Sequence, residues 1–174
     1  MLKKILIVVV VLAAALAAIG FVLPGRYRVE RSAVIAAPPG AVLAQAADLE
    51  TWPEWSAWTR EADPTCTFAF TGAGVGARMA WDGEEHGQGE LTITKVDPAG
   101  GLLYELAFEH GEFLAHGGLD MAAEGAGTRV TMWSEGELGG NPLMHWMGLL
   151  MDSMVGEHFE VGLTGLKRRL EAAG

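Results

Sequence analysis

The C-terminal stretch 141–170 carries a helical pattern that the rest of the chain has to enclose. Asn141 is a good N-cap, and Pro142 suits the first helical position, where its missing N–H costs nothing. Basic residues at 167–169 would then oppose the negative pole of the helix dipole. Apolar residues recur every three or four positions, the period of one buried helical face; they are Leu143, Met147, Leu150, Met154, Val155, Phe159, Leu163, Leu166 and Leu170. The pattern predicts a long, largely buried C-terminal helical segment.

Four glycines interrupt this segment: Gly148, Gly156, Gly162 and Gly165. Each costs about 1 kcal/mol relative to alanine in a helix interior. A closer approach of a neighbour, a break or a cavity must therefore require them. The apolar face changes register near Gly156, and acids that suit the first turn of a new helix follow it. We therefore predict two helices that are hinged near Gly156.

A second apolar stretch lies at the other end of the chain. The uncharged run Ile5–Leu23, with basic residues on both sides, is long enough to cross a hydrocarbon core of roughly 30 Å. We predict a single-pass membrane anchor in residues 1–25, followed by one domain in 26–174. A cleaved signal peptide with small residues at 15–17, or a buried helix, are the alternatives. Because the flanking charges nearly balance, the side of the membrane that holds the domain stays open.

Between these ends the sequence reads as an antiparallel sheet. Seven alternating segments are separated by Gly-, Asp- and Pro-rich turns; they are 27–35, 65–71, 76–82, 87–96, 102–109, 115–123 and 128–138. Alternation points a set of large apolar side chains inward: Met79, Trp81, Leu91, Ile93, Tyr104, Leu106, Phe108, Leu119, Met121, Val130 and Met132. With short helices near 40–51, this predicts an α+β domain in which a curved, seven-stranded antiparallel sheet wraps round the C-terminal helix.

Charge and reactive residues narrow the classes of function. A net charge of −10 argues against nucleic acid as a partner. The single cysteine, Cys66, excludes an internal disulfide. The five histidines form no compact ligand motif, so we expect no metal and no cofactor. We interpret His86, His110 and His145 as solvated surface residues.

Five short runs are shared with a known superfamily: PPGAV at 38–42, DLETWPEWSAW at 48–58, GTRVT at 127–131, EGEL through NP at 135–142, and MDSMVG at 151–156. Over about residues 26–172 the chain resembles the polyketide cyclase/dehydrase-type members of the START-like (SRPBCC) superfamily. The resemblance implies a helix-grip fold, in which sheet and final helix enclose a hydrophobic cavity. It also implies binding of lipids, sterols, polyketides or other apolar molecules, with a minority of members acting as enzymes.

Aromatic and methionine residues suggest where such a cavity would lie. Trp52, Trp55 and Trp58 recur at spacing three, and a plug packed on the sheet explains them better than ligand stacking does. Met144, Met147, Met151 and Met154 share one helical face; alone they could be core filler, but with the resemblance they predict a cavity for varied apolar ligands. The predicted lining is Trp55, Met79, Trp81, Tyr104, Leu106, Met121, Met132, Met147, Met151, Met154 and His158.

Three functions stay open at this point. The favoured one is membrane-tethered binding of a hydrophobic small molecule or lipid, with no catalytic residue. The second is a polyketide cyclase/dehydratase-like enzyme that uses His158, Asp152 or Tyr104 as acid or base. The third is a purely structural envelope domain. Nothing in the sequence predicts the ligand's identity or the oligomeric state.

Overall fold

The computed structural model describes residues 2–172 and shows one antiparallel sheet with a long helix across it. The strands are β1 Arg26–Ile35, β2 Thr67–Thr71, β3 Arg78–Gly83, β4 Gly87–Asp97, β5 Gly101–Phe108, β6 Phe113–Glu124 and β7 Gly127–Glu137. The helices are α1 Leu2–Gly20, α2 Pro39–Ala47, α3 Trp52–Trp55 and α4 Pro142–Ala172. The sheet order is β1-β7-β6-β5-β4-β3-β2, so β2 to β7 follow one another and β1 returns to pair with β7. The predicted α+β fold class, with seven antiparallel strands and a C-terminal helix, is confirmed.

The core lies between the concave face of the sheet and α4, as the alternation predicts. Every predicted inward residue is buried, apart from Phe108, which is half-buried. The plug is confirmed for Trp52 and Trp55, which are 0% and 2% exposed. The Trp52 indole donates to the Ala46 carbonyl oxygen at 2.9 Å and meets the Tyr104 ring edge-on. The buried indole N–H therefore has a hydrogen-bond partner, and the two aromatic rings pack against each other in the core.

The predicted break in the C-terminal segment is wrong, because α4 is continuous from Pro142 to Ala172. Its N-cap is as predicted, since the Asn141 side chain accepts the Leu143 N–H at 3.0 Å. Gly156 lies where the guanidinium of Arg31, from β1, rests against the helix, and a Cβ there would overlap that group. Gly156 therefore allows Arg31 to approach the helix closely, and it does not form a hinge.

The guanidinium of Arg31 is clamped by acids one turn to either side of Gly156. Its Nη1 donates to Asp152 at 3.0 Å, and its Nε donates to Glu160 at 2.9 Å. The hydrogen bond from Arg31 holds the pKa of Asp152 below its usual range. This cluster lies on the outer side of the α4 contact with β1, where both carboxylates are mostly exposed.

The two ends of the sheet differ in what covers them. We call the end that carries the β3–β4 and β5–β6 hairpins, the start of β1 and the start of α4 the proximal end. There the last turn of α1 packs on α4: His145 Nδ1 lies 2.8 Å from the Gly20 carbonyl oxygen, and Trp146 Nε1 donates to Leu16 at 3.1 Å. At the opposite end Lys167 Nζ donates to the Val34 carbonyl oxygen at 3.0 Å.

α1 itself is long and apolar enough to cross a membrane. It has 19 residues, which at 1.5 Å per residue gives about 28 Å. Its residues are exposed except for Ala17, which is half-buried, and Gly20, which is buried; both lie close to the contact with α4.

Candidate functional site

A cavity of about 420 Å³ lies at the proximal end, between the sheet and the first half of α4. Its lining is formed by Tyr27, Trp58, Glu85, His86, Leu106, Phe108, Phe113, Leu114, Ala115, Ser134, Glu137, Leu138, Met144, Met147, Met151, Met154, Val155, His158 and Phe159. Two larger depressions, of about 530 and 810 Å³, run along β2–β5 and beside the β1–β7 edge, and both have a more polar lining. The interior cavity is therefore the place where an apolar molecule would be held.

The helix contributes a methionine face to this cavity. Met144, Met147, Met151 and Met154 follow one another at spacing 3, 4 and 3, which keeps them on one side of α4. Their unbranched side chains adapt to irregular space at little cost. Facing them is the apolar end of β5, around Leu106 and Phe108. An apolar wall on both sides can exclude water from a bound molecule.

Two histidines give the cavity a polar corner beside Trp58. His158, from α4, has its ring 6.0 Å from the Trp58 ring, and burial, together with the nearby His86, lowers its pKa below 6.5. His86, from the β3–β4 hairpin, has its Nε2 3.1 Å from the Thr59 carbonyl oxygen. An imidazole with a lowered pKa is neutral at pH 7 and can accept or donate one hydrogen bond.

The hairpin that carries His86 is held by Asp63. This fully buried carboxylate accepts the backbone N–H groups of Glu85 and His86, at 2.9 and 3.0 Å, and two hydrogen bonds from Thr65. Hydrogen bonds from the Thr65 hydroxyl and the His86 N–H hold the pKa of Asp63 well below its usual range. A carboxylate that stays ionised fixes one wall of the cavity.

A second polar group lies where β1 meets β7. Burial raises the pKa of the Tyr27 hydroxyl, and the nearby Ser134 side chain opposes that increase. The ring of Tyr27 occupies space that a side chain at Gly136 would fill. The cavity therefore has polar groups at separate places and apolar side chains between them, which suits an amphiphilic ligand.

Five of the predicted lining residues lie at this cavity: Leu106, Met147, Met151, Met154 and His158. The other six, Trp55, Met79, Trp81, Tyr104, Met121 and Met132, are 7% exposed or less and belong to the closed core. α3 and the second half of α4 fill that part of the concave face: Gly165 receives the Trp55 backbone, and Met132 packs at Gly162. Within residues 2–172, the proximal part of the concave face is the part left open.

Several cavity residues were missed or misread from the sequence. His86 is half-buried at the cavity and His145 bridges two carbonyl oxygens, so neither is the solvated residue that we expected, whereas His110 is exposed. Both corrections have one cause, because hairpins and helix ends fold back on each other in ways that local sequence does not encode. Tyr27, Trp58 and Ser134 were also absent from the predicted lining.

The geometry limits what acid–base chemistry the cavity could support. Asp152 points away from the lining, into the clamp with Arg31, and Tyr104 is buried in the core, where burial raises its pKa. Of the three candidate acids and bases, only His158 faces the cavity. Among residues 2–172, no group of three or more His, Cys, Asp or Glu side chains could hold a metal ion.

Comparison with known proteins identifies the family. The structure is similar to DynU16, a protein in the dynemicin biosynthetic locus, with a TM-score of 0.60 and 15% identity over 84% of this chain and 48% of that one. It is similar to the di-domain ARO/CYC StfQ from the steffimycin biosynthetic pathway, with a TM-score of 0.65 and 10% identity over 85% and 51%. It is also similar to Ms6760 from Mycobacterium smegmatis, with a TM-score of 0.60 and 19% identity over 84% and 92%.

These likenesses establish the fold, and the chain spans about half the length of the first two proteins. None of the curated proteins compared with the chain matches its sequence. The sequence profile described as "Polyketide cyclase / dehydrase and lipid transport" matches residues 26–171, which is the whole of the sheet and nearly all of α4. The resemblance seen in the sequence is thereby confirmed, and the chain belongs to the polyketide cyclase/dehydrase and lipid transport family of the START-like superfamily.

Proposed function

We propose that the chain is a membrane-tethered binding protein, whose cavity holds an apolar small molecule or lipid and performs no chemistry on it. The observation that carries the proposal is the 420 Å³ cavity, lined by four methionines on one side and by aromatic and aliphatic side chains on the other. Ligand pockets of about 300–1,000 Å³ with such a lining suit small molecules. Residues 26–174 would be the binding domain.

Residues 1–25 would be the tether. α1 matches the thickness of a hydrocarbon core, and its apolar side chains are uncovered along most of its length. A helix of this kind is costly to leave in water. Full-length protein should therefore resist carbonate extraction from membranes. Recovery in the soluble fraction with an N-terminus near Ala18 would instead show a cleaved signal peptide.

The binding proposal is tested with full-length protein in a mild detergent. Native mass spectrometry would show whether a ligand co-purifies, and a fluorescent fatty-acid probe would measure binding. Met151→Trp should abolish probe binding, because the indole fills the cavity between α4 and the sheet. The matched control is Val75→Trp, at an exposed position in the β2–β3 turn, which should bind like the parent.

A close-packed core would behave differently. Met151→Trp would then overpack the region and destabilise the protein by about 1–3 kcal/mol. A parent protein that carries no ligand and binds no probe, combined with such a loss in the variant, would overturn the binding proposal.

The second candidate, an enzyme of the cyclase/dehydratase kind, is favoured by His158 alone. Its imidazole lines the cavity and has a lowered pKa, so it is neutral at pH 7 and could take a proton from a ligand there, with His86 close by. The test is incubation with a poly-β-ketone thioester, followed by mass spectrometry for loss of water. Product that forms with the parent and not with His158→Gln would establish catalysis, whereas unchanged substrate would leave binding as the function.

A further inference from the structure

An unusual amount of apolar surface surrounds the mouth of the cavity. Five large side chains there are 48–64% exposed: Phe113, Leu114 and Met154, together with Leu143 and Leu150, which lie one helical turn before Met147 and Met154 of the lining. We call this group the apolar collar. Phe113, Leu114 and Met154 also line the cavity, so the collar and the interior form one continuous apolar surface. A continuous exposed apolar surface of this kind marks a site where a partner or a membrane binds.

The collar lies at the end of the domain that holds α1. Contacts step back along α1 as they step forward along α4: Gly20 meets Pro142, and Leu16 accepts the indole N–H of Trp146. The first turns of α4 therefore run beside a part of α1 that is still apolar. If α1 spans a bilayer, these turns lie at the level of the interface, where tryptophan is enriched.

The connection between α1 and the domain is short and itself apolar. Phe21 and Val22 are 69% and 85% exposed, and β1 begins at Arg26. A tether of this length keeps the bilayer next to the collar at all times, so no other partner meets the collar at comparable effective concentration. The bilayer is therefore favoured over a soluble protein or a second copy of the chain.

Charge argues for apolar insertion rather than electrostatic attraction to lipid headgroups. Arg26 and Arg28, which lie at the same end, are paired with Glu137 and Glu135 at 3.2 and 2.9 Å. Because these cations are paired within the domain, their electrostatic attraction to anionic lipid is weaker. Docking should consequently occur on zwitterionic lipid and should depend little on salt.

We propose that the apolar collar inserts into the bilayer that holds α1, so that the cavity opens toward the acyl chains. The ligand is then a lipid or another bilayer-dissolved amphiphile, which enters from the membrane without crossing water. This inference rests on the proposed function, since it assigns the route and the ligand class of the same cavity.

The test uses full-length protein in phosphatidylcholine vesicles, with single cysteines carrying an environment-sensitive fluorophore. Labels at Leu150→Cys in the collar and Val9→Cys in α1 are compared with a label at Val75→Cys at the opposite end. Cys66 is kept because it is buried, and the parent protein taken through the same labelling reaction measures its background. Lipids with a quencher on the acyl chain should quench the labels at positions 150 and 9, but not the label at 75.

A transfer assay adds a functional readout. Leu150 is outside the cavity lining, so Leu150→Asp should leave probe affinity in detergent unchanged. It should slow transfer of a fluorescent lipid from vesicles to the protein by about tenfold, which corresponds to the lost burial of one leucine. Val75→Asp, at another exposed position, should transfer at the parent rate.

Each alternative gives a distinct result. A quenched label at position 9 with an unquenched label at 150 would overturn collar docking and leave the tethered binding protein intact. Energy transfer between labels at position 150 on different molecules, without quenching by lipid, would show that a second copy covers the collar. Absence of quenching at position 9 would overturn the tether itself, and collar docking with it.

Discussion

Replacing the glycines of α4 by alanine, one at a time, tests whether they serve close approach or flexibility. Removing a glycine from a helix interior gains about 1 kcal/mol at any position. What differs is the space that the new methyl group meets. A Cβ at Gly162 would lie 3.5 Å from Met132 Sδ, which is ordinary contact, whereas at Gly165 it would overlap the Trp55 carbonyl oxygen.

These surroundings give three different expected results. Gly162→Ala should stabilise the protein by about 1 kcal/mol. Gly165→Ala should destabilise it by about 2 kcal/mol or more, because backbone in α3 cannot move aside and overpacking of roughly 3 kcal/mol exceeds the gain in helix propensity. Gly156→Ala should change stability by less than about 1 kcal/mol, because the Arg31 side chain can swing away from carboxylates that are mostly exposed.

Thermal unfolding of the detergent-solubilised chain, followed by tryptophan fluorescence, would measure this order. At this chain length 1 kcal/mol corresponds to about 2–4 °C in melting temperature. Gly162→Ala should therefore melt a few degrees above the parent, and Gly165→Ala several degrees below it. Equal shifts at all three positions would refute the reasoning, because a helix that uses its glycines for flexibility gains similarly from each replacement.

Three further predictions concern polar side chains. The Thr128 hydroxyl donates to the Ala37 carbonyl oxygen at 2.7 Å, so Thr128→Val should lower the unfolding free energy by about 1–3 kcal/mol in the same melting assay. Because the pKa of His158 is lowered in the folded state, the unfolded chain binds this proton first as the pH drops. The melting temperature should therefore fall below about pH 6.5, and His158→Gln should flatten this part of the pH–melting curve. Asp63→Asn turns an amide toward the N–H groups of 85–86, and hydrogen exchange should accelerate at those amides while it stays unchanged in β6.

The sheet and its inner face could be predicted because strand alternation is a local signal. Met79 and Trp81 in β3, or Leu91 and Ile93 in β4, are separated by polar residues, and burial follows from that period alone. The cap at Asn141 is equally local. Such features need no knowledge of what lies across the core.

The open part of the concave face could not be predicted in the same way. The sequence places Met151 and Met132 on facing surfaces, yet only Met151 lines the cavity, because α3 fills the space beside Met132. Arg31 did leave a signal, as the one charge on the inward side of β1. The matching pattern on α4 is an acid, a glycine and an acid at spacing four: Asp152, Gly156 and Glu160. This pattern indicates a pair of carboxylates that hold Arg31, and not a hinge.

The pairing of β1 with β7 has a consequence for the order in which the chain folds during synthesis. Arg28 lies 107 positions before Glu135, and Ser32 lies 99 before Thr131, so β1 is made long before β7, the strand with which it pairs. β2 to β6 can pair as they emerge, whereas β1 has to wait. Contacts of such long sequence separation slow folding, and an unpaired strand edge invites aggregation. We expect the charges of Arg26, Arg28 and Arg31 to protect unpaired β1 from aggregation. Pairing with β7 and the docking of α4 then complete the fold.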